Sequence, residues 1–161
     1  MSSIASPRGF TLFETLVATG ILVTALAGVA QLFILSTHLT RQANVAGAAL
    51  VAAQDKLETL VGAAFDYDSS GAAVTDPALE PSPQSSLDED VDPFSDWVDS
   101  SGKPSQSADD AMFLRRWRVS SIGADLPESV AVEVCVFRMP ADAAKARAAD
   151  ACLSTIRTRQ P

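Results

Sequence analysis

The chain has 161 residues, a formal net charge of −8, two cysteines and a single histidine. A chain this acidic is a poor general ligand for nucleic acid or anionic lipid. One histidine, His38, assembles no Ser/His/Asp or Cys/His set, so no enzyme is expected, and the length suits one long helix with one small domain.

Residues 1–9 form a short polar leader ending in Pro7-Arg8-Gly9, too short and too polar to be a signal peptide by itself. Arg8 sets positive charge ahead of the apolar run, as cytoplasmic flanks require. From Phe10 to Leu35 the chain is almost wholly apolar and carries one charge, Glu14. A carboxylate inside a membrane-length helix costs about 2.5–3.5 kcal/mol on insertion scales, so it needs a partner. No Lys, Arg or His follows before His38, which places that partner in another chain.

Arg8-Gly9-Phe10-Thr11-Leu12-Phe13-Glu14 resembles the processing and assembly motif of type IV pilins and pseudopilins. The resemblance implies cleavage by a prepilin peptidase after Gly9 and methylation of the new amino terminus at Phe10. It also implies that Glu14 meets the terminal amine of a neighbouring subunit in a filament. Two plainer readings compete with it. One is a secretory signal cut after Ala25-Leu26-Ala27, although the apolar run continues past that point. The other is a plain single-span anchor with a fortuitous glutamate.

Thr15–Leu35 as helix would be about 32 Å long, roughly a bilayer core. Gly20, Thr24 and Gly28 recur at i, i+4 and i+8, a face where another helix can approach, though glycine is common in membrane helices anyway. No proline lies between Pro7 and Pro77, so nothing obliges the helix to break; many pilins carry one, and this chain departs from them. Beyond Leu35, the residues Leu39, Ala43, Ala46, Leu50, Ala53, Leu57 and Leu60 follow helical spacing, an apolar stripe for a packed domain, with Gly62 marking the end. The whole helix would run roughly 80 Å. His38 reads as an interfacial polar residue. Ala53-Gln54-Asp55-Lys56-Leu57-Glu58 is similar to a segment of minor pilins of the PilV type and of secretion-I pseudopilins.

Residues 66–110 contain twelve Asp or Glu and one Lys, with Pro, Ser and Gly throughout, and read as a long loop or several short elements. Asp88, Asp90, Asp92, Asp96 and Asp99 match the spacing of a calcium loop. Against it, Pro93 replaces the turn glycine and Asp99 the longer glutamate, so a solvated acidic loop pairing with a basic sheet is the preferred reading. No other cofactor is expected.

Three strand-like runs follow, Met112–Ser120, Val130–Met139 and Cys152–Arg159. Val130, Val132, Val134 and Val136 alternate with other residues, giving one valine face for the helix. Phe113, Trp117 and Val119 share one side of the first run; Leu114, Arg116 and Arg118 share the other. Arg116, Arg118, Arg138, Arg157 and Arg159 either gather into a nucleic-acid patch or form a basic face shielded by the acidic loop, and the nearby acids favour shielding. Phe-Leu-Arg-Arg-Trp-Arg-Val is again similar to a strand of PilV-like and secretion-I-like members. Cys135 and Cys152 suit a disulfide in an exported domain. A hairpin around Pro140–Asp150 would bring them close, with the register open by a residue or two, and a buried free thiol at Cys135 is the alternative.

The expected fold is α+β: a long N-terminal helix on a small antiparallel sheet. The expected divisions are leader 1–9, transmembrane and assembly helix 10–35, amphipathic half 36–64, acidic region 65–110 and sheet 111–161. The expected role is a minor type IV pilin or pseudopilin of the bacterial inner membrane, with its C-terminal domain in the periplasm and then in the filament. Its partners would be the other subunits, the prepilin peptidase and the membrane. A filament-displayed module binding DNA or a surface is the alternative.

Overall fold

The computed structural model describes residues 10–123, 126–139 and 148–159. It contains one long helix, α1 (Leu12–Gly62), and seven strands: β1 (Phe65–Tyr67), β2 (Ala73–Thr75), β3 (Ser95–Val98), β4 (Pro104–Ser105), β5 (Phe113–Ile122), β6 (Leu126–Arg138) and β7 (Ala151–Thr158). The chain divides after Ala43 into two units, which are taken in turn.

In the first unit, Thr11 starts α1: its hydroxyl accepts from the Glu14 amide at 3.2 Å. Thr-x-x-Glu is the capping-box spacing, so the sequence that opens the apolar run also starts a helix. Residues 10–44 are exposed throughout, and the helix is long and apolar enough to cross a membrane. Its threonine hydroxyls are satisfied from within. The Thr15, Thr19, Thr24, Thr37 and Thr40 hydroxyls each donate to a carbonyl three or four residues back, at 2.9–3.2 Å. Hydroxyls bonded back to their own helix are what hydrocarbon requires.

In the second unit the end of α1 packs on an antiparallel sheet of order β4-β3-β5-β6-β7. Ala49, Ala52, Ala53 and Leu60 are buried, with Val45, Ala48 and Leu57 packed beside them. They meet Phe113, Trp117 and Val119 of β5 and the four valines Val130, Val132, Val134 and Val136 of β6. The expected helix stripe is right at Ala53, Leu57 and Leu60 but drifts out of phase toward its start. Leu39, Ala43, Ala46 and Leu50 are exposed, and Val45, Ala48, Ala49 and Ala52 face the sheet instead. Small alanines let the helix approach the sheet closely, and leucine size was a poor guide to the buried face.

The three expected strands form the heart of the sheet, and the acidic region adds to it. Of the two readings, one long loop or several short elements, it takes the second: it supplies β3 and β4, the separate β1–β2 ribbon, and two short 3₁₀ turns at Pro77–Leu79 and Gln84–Leu87. Both hairpins close on the same tetrapeptide, Asp-Ser-Ser-Gly, at residues 68–71 and 99–102. In each, the aspartate Oδ1 accepts from the backbone N–H and the hydroxyl of the serine two residues on (2.6–2.8 Å). It also accepts from the N–H four residues on, at 2.9 and 3.0 Å. The glycine then takes φ +81° or +83°, a left-handed conformation that side chains resist.

No basic residue stands in the last turn of α1. Its C-terminal carbonyls are met from far along the chain: Arg157 of β7 donates to Ala63 O at 2.6 Å and to Leu60 O at 3.3 Å. Arg159 lies over the Phe65 ring at 4.1 Å and ion-pairs with Glu128 at 2.7 Å, fastening the β1–β2 ribbon.

Candidate functional site

At the amino end, Gly9 and the leader lie outside the described residues, so the cleavage position has no structural account. Phe10 is exposed, and Glu14 sits in the first turn of α1, an end of the helix that favours negative charge. Among the described residues its carboxylate has no hydrogen-bond or ion-pair partner. Its neighbours Leu12, Phe13, Leu16 and Val17 are exposed apolar side chains. The arrangement presents one carboxylate among exposed apolar side chains. His38 is exposed on the same helix.

The second unit holds a cluster that the sequence reading missed. Arg115 is 2 % exposed and lies on the inner face of β5, between Phe113 and Trp117. Its Nε and Nη2 donate to the two oxygens of Asp96 at 2.8 and 2.9 Å, and its Nη1 donates to the carbonyl of Ala52 at 2.8 Å. Asp55 adds a longer contact at 3.3 Å. Lys56 joins the same Asp96 at 3.3 Å and lies 3.5 Å from the centre of the Trp117 ring. Burial pushes the Lys56 ammonium below its ordinary value of 10.5; Asp96 opposes that shift and Arg115 adds to it. The fork of Arg115 therefore ties β3, β5 and α1 at one point. The signal was available: the parity of Phe113 and Trp117 already puts Arg115 on the inner face. Beside the cluster opens a cleft of about 750 Å³ whose walls include Leu60, Ala63, Pro77, Phe94 and Trp117.

The five aspartates with calcium-loop spacing are not brought together. Asp96 is committed to Arg115 and Lys56, and Asp90 to Arg116 at 2.9 Å. Asp99 is held in its turn, where the Ser101 hydroxyl and the Lys103 and Ser101 amides draw its carboxyl below the usual value. Asp88 closes a 3₁₀ turn, and its backbone carbonyl accepts from Arg116. Among the described residues no group of three or more His, Cys, Asp or Glu is placed to hold a metal ion.

The arginines do not share one face. Arg115, Arg157 and Arg159 engage the helix side and the ribbon. Arg116 and Arg118 lie on the opposite face, Arg116 held by Asp90 and by the carbonyls of Leu87 and Asp88, and Arg118 paired with Glu133 at 2.7 Å. Arg138 pairs with Asp150 at the strand end. Part of the acidic region does lie on the basic sheet, through Arg116.

Cys135 and Cys152 are direct cross-strand partners on β6 and β7, 4.2 Å apart at Cα and joined as a disulfide. That spacing belongs to the closer, non-hydrogen-bonded kind of antiparallel pair. Comparison with known proteins finds no matching family model, curated protein or solved structure.

Proposed function

We propose that this chain is a minor subunit of a type IV pilus or a related secretion pseudopilus, a structural component with no catalytic role of its own. In this reading a prepilin peptidase cuts after Gly9 and methylates Phe10. The α1 helix holds the protein in the bacterial inner membrane with the second unit in the periplasm, and Glu14 then meets the terminal amine of a neighbouring subunit during assembly. The observation that carries the proposal is the lone carboxylate of Glu14 in the first turn of a helix whose apolar side chains are exposed from Leu12 through Ala43. Such a group is expensive in lipid unless a cation meets it, and an amine at the head of a neighbouring helix lies at the matching depth. The internally bonded threonine hydroxyls support membrane insertion of the same helix.

A filament-displayed nucleic-acid module is the weaker reading, because the arginines that would serve it are spread over two faces and engaged with carboxylates and carbonyls. A plain single-span anchor leaves Glu14 without a task. Mass spectrometry of the N-terminal peptide from membrane-extracted protein tests the proposal. A mature start at N-methylated Phe10 is expected; an unprocessed Met1 or a start at Gly28 refutes it, in favour of the anchor or the secretory signal respectively.

A further inference from the structure

Strand β7 is attached to the second unit by little packing. It is an edge strand and, among the described residues, pairs only with β6. None of its eight residues is buried: they alternate between half-buried and exposed, and of its apolar side chains only Ala151 and Leu153 pack against the core. By contrast, β6 buries four valines and has β5 as a second partner. Segments with few buried apolar contacts open locally before the rest of a domain does. What ties β7 down covalently is Cys152, joined to Cys135 of β6. Cys135 is 5 % exposed, on the sheet face away from the buried valines, whereas Cys152 is an exposed residue within reach of a reagent in solution. The far end of the strand carries long-range contacts. Arg157 meets the last carbonyls of α1, and Arg159 donates to the Asp66 carbonyl and the Thr75 hydroxyl of the β1–β2 ribbon, both at 2.9 Å.

We propose that the Cys135–Cys152 bond is a reducible clasp: cutting it with an external dithiol lets β7 leave the sheet, which uncovers the end of α1 and frees the β1–β2 ribbon. One thiolate of the dithiol attacks Sγ of the exposed Cys152, and Cys135 leaves as a thiolate that takes up a proton. The second thiol of the reagent then attacks the mixed disulfide and releases Cys152 as a thiol. The dithiol ends as a disulfide, and two electrons have passed to the protein. The bridge spans 17 residues of sequence, so it withholds conformational freedom from the opened strand; once it is cut, that freedom favours opening. β6 keeps β5 and its buried valines, so the remainder of the sheet holds. Phe65, 3 % exposed while β7 is docked, loses the guanidinium of Arg159 and joins the surface. The proposal does not depend on the filament reading, which is decided separately by the N-terminal mass.

The test treats full-length protein in detergent micelles with dithiothreitol, without denaturant, and alkylation counts the thiols released. Both cysteines are expected to react. Hydrogen exchange is then read at Leu153, Thr155 and Arg157. Their N–H groups bond to β6, because antiparallel pairs alternate and Cys135–Cys152 is a non-hydrogen-bonded pair. Their exchange should quicken about a hundredfold on reduction. Asp66 and Val74, paired across the ribbon, should quicken about tenfold. Arg116 and Arg118 of β5, paired with β6 on its other side, should not change. The double variant Cys135→Ala, Cys152→Ala should exchange fast at β7 with or without the dithiol, which separates loss of the bond from any other effect of the reagent. A bond that resists the dithiol in the folded protein overturns the proposal. So do β7 amides that are equally slow before and after reduction, and ribbon amides that stay slow while β7 opens. Quickening of Arg116 and Arg118 together with β7 also overturns it, since the whole sheet would then melt rather than one strand.

Discussion

Arg115→Met keeps most of the side chain's length and removes its fork. Asp96 is left with Lys56 alone, and the Ala52 carbonyl loses its donor. Removing one member of a buried ion pair costs about 3–5 kcal/mol. Asp96 is 25 % exposed and keeps Lys56 at 3.3 Å, so the lower end applies. At about 3 kcal/mol and about 4 °C per kcal/mol for a domain of this size, the melting point should fall roughly 12 °C. Urea unfolding of the full-length protein in micelles, followed by the fluorescence of Trp117 and Trp97, reads the change. Asp96→Leu and the double variant complete a cycle, in which the two losses should overlap by about 1–3 kcal/mol. A cost below about 1 kcal/mol, or strict additivity in the cycle, would refute the view that this fork fastens helix to sheet.

Lys56 gives a pH signature of known sign. Burial, chiefly, lowers its folded pKa below 10.5, so as pH rises the native state releases this proton before the unfolded chain does, and stability gains through that window. The stability difference between wild type and Lys56→Met should therefore climb as pH approaches 10.5 and level off above it; parallel pH curves would exclude the effect. Gly71→Ala and Gly102→Ala should each cost about 1–2 kcal/mol from backbone conformation alone, since φ is positive and no atom lies within 4 Å of the added methyl. Chemical denaturation measures this, and a neutral substitution at both positions would show that the turns relax. Glu14→Ala should leave the protein in the membrane at normal level but poorly incorporated into filaments, read by immunoblotting of sheared filaments against membranes. Normal incorporation would remove Glu14 from assembly.

Periodicity carried the fold where it was unambiguous. Val130, Val132, Val134 and Val136 stand on one side of a strand whatever surrounds them, and all four are buried against the helix. In α1 the run from Ala43 to Ala53 is so rich in small apolar residues that several phases look alike, and packing chose Val45, Ala49 and Ala52 over Leu39 and Leu50. β3 was hidden because acidic residues mask its alternation, and its place is fixed by Asp96 reaching Arg115, a long-range pairing that no local pattern announces. The repeated Asp-Ser-Ser-Gly turn is plain in the letters at 68–71 and 99–102, although nothing around it repeats. At the amino end the motif Gly9-Phe10-Thr11-Leu12-Phe13-Glu14 was the strongest signal in the sequence. The fold adds the cap at Thr11, and the chemistry expected there belongs to a neighbour and a peptidase.

The arginine that covers the end of α1 comes late in synthesis. A ribosome makes the helix first, and the carbonyls of Leu60 and Ala63 wait 97 and 94 residues for Arg157. At about 5–20 residues per second that interval is roughly 5–20 s. Throughout it β7 and Arg159 are also absent, so Leu60 and Phe65 lack the strand and the guanidinium that later lie over them. A nascent chain stalled before residue 157 therefore carries a helix end whose Leu60 and Ala63 carbonyls lack their guanidinium donor.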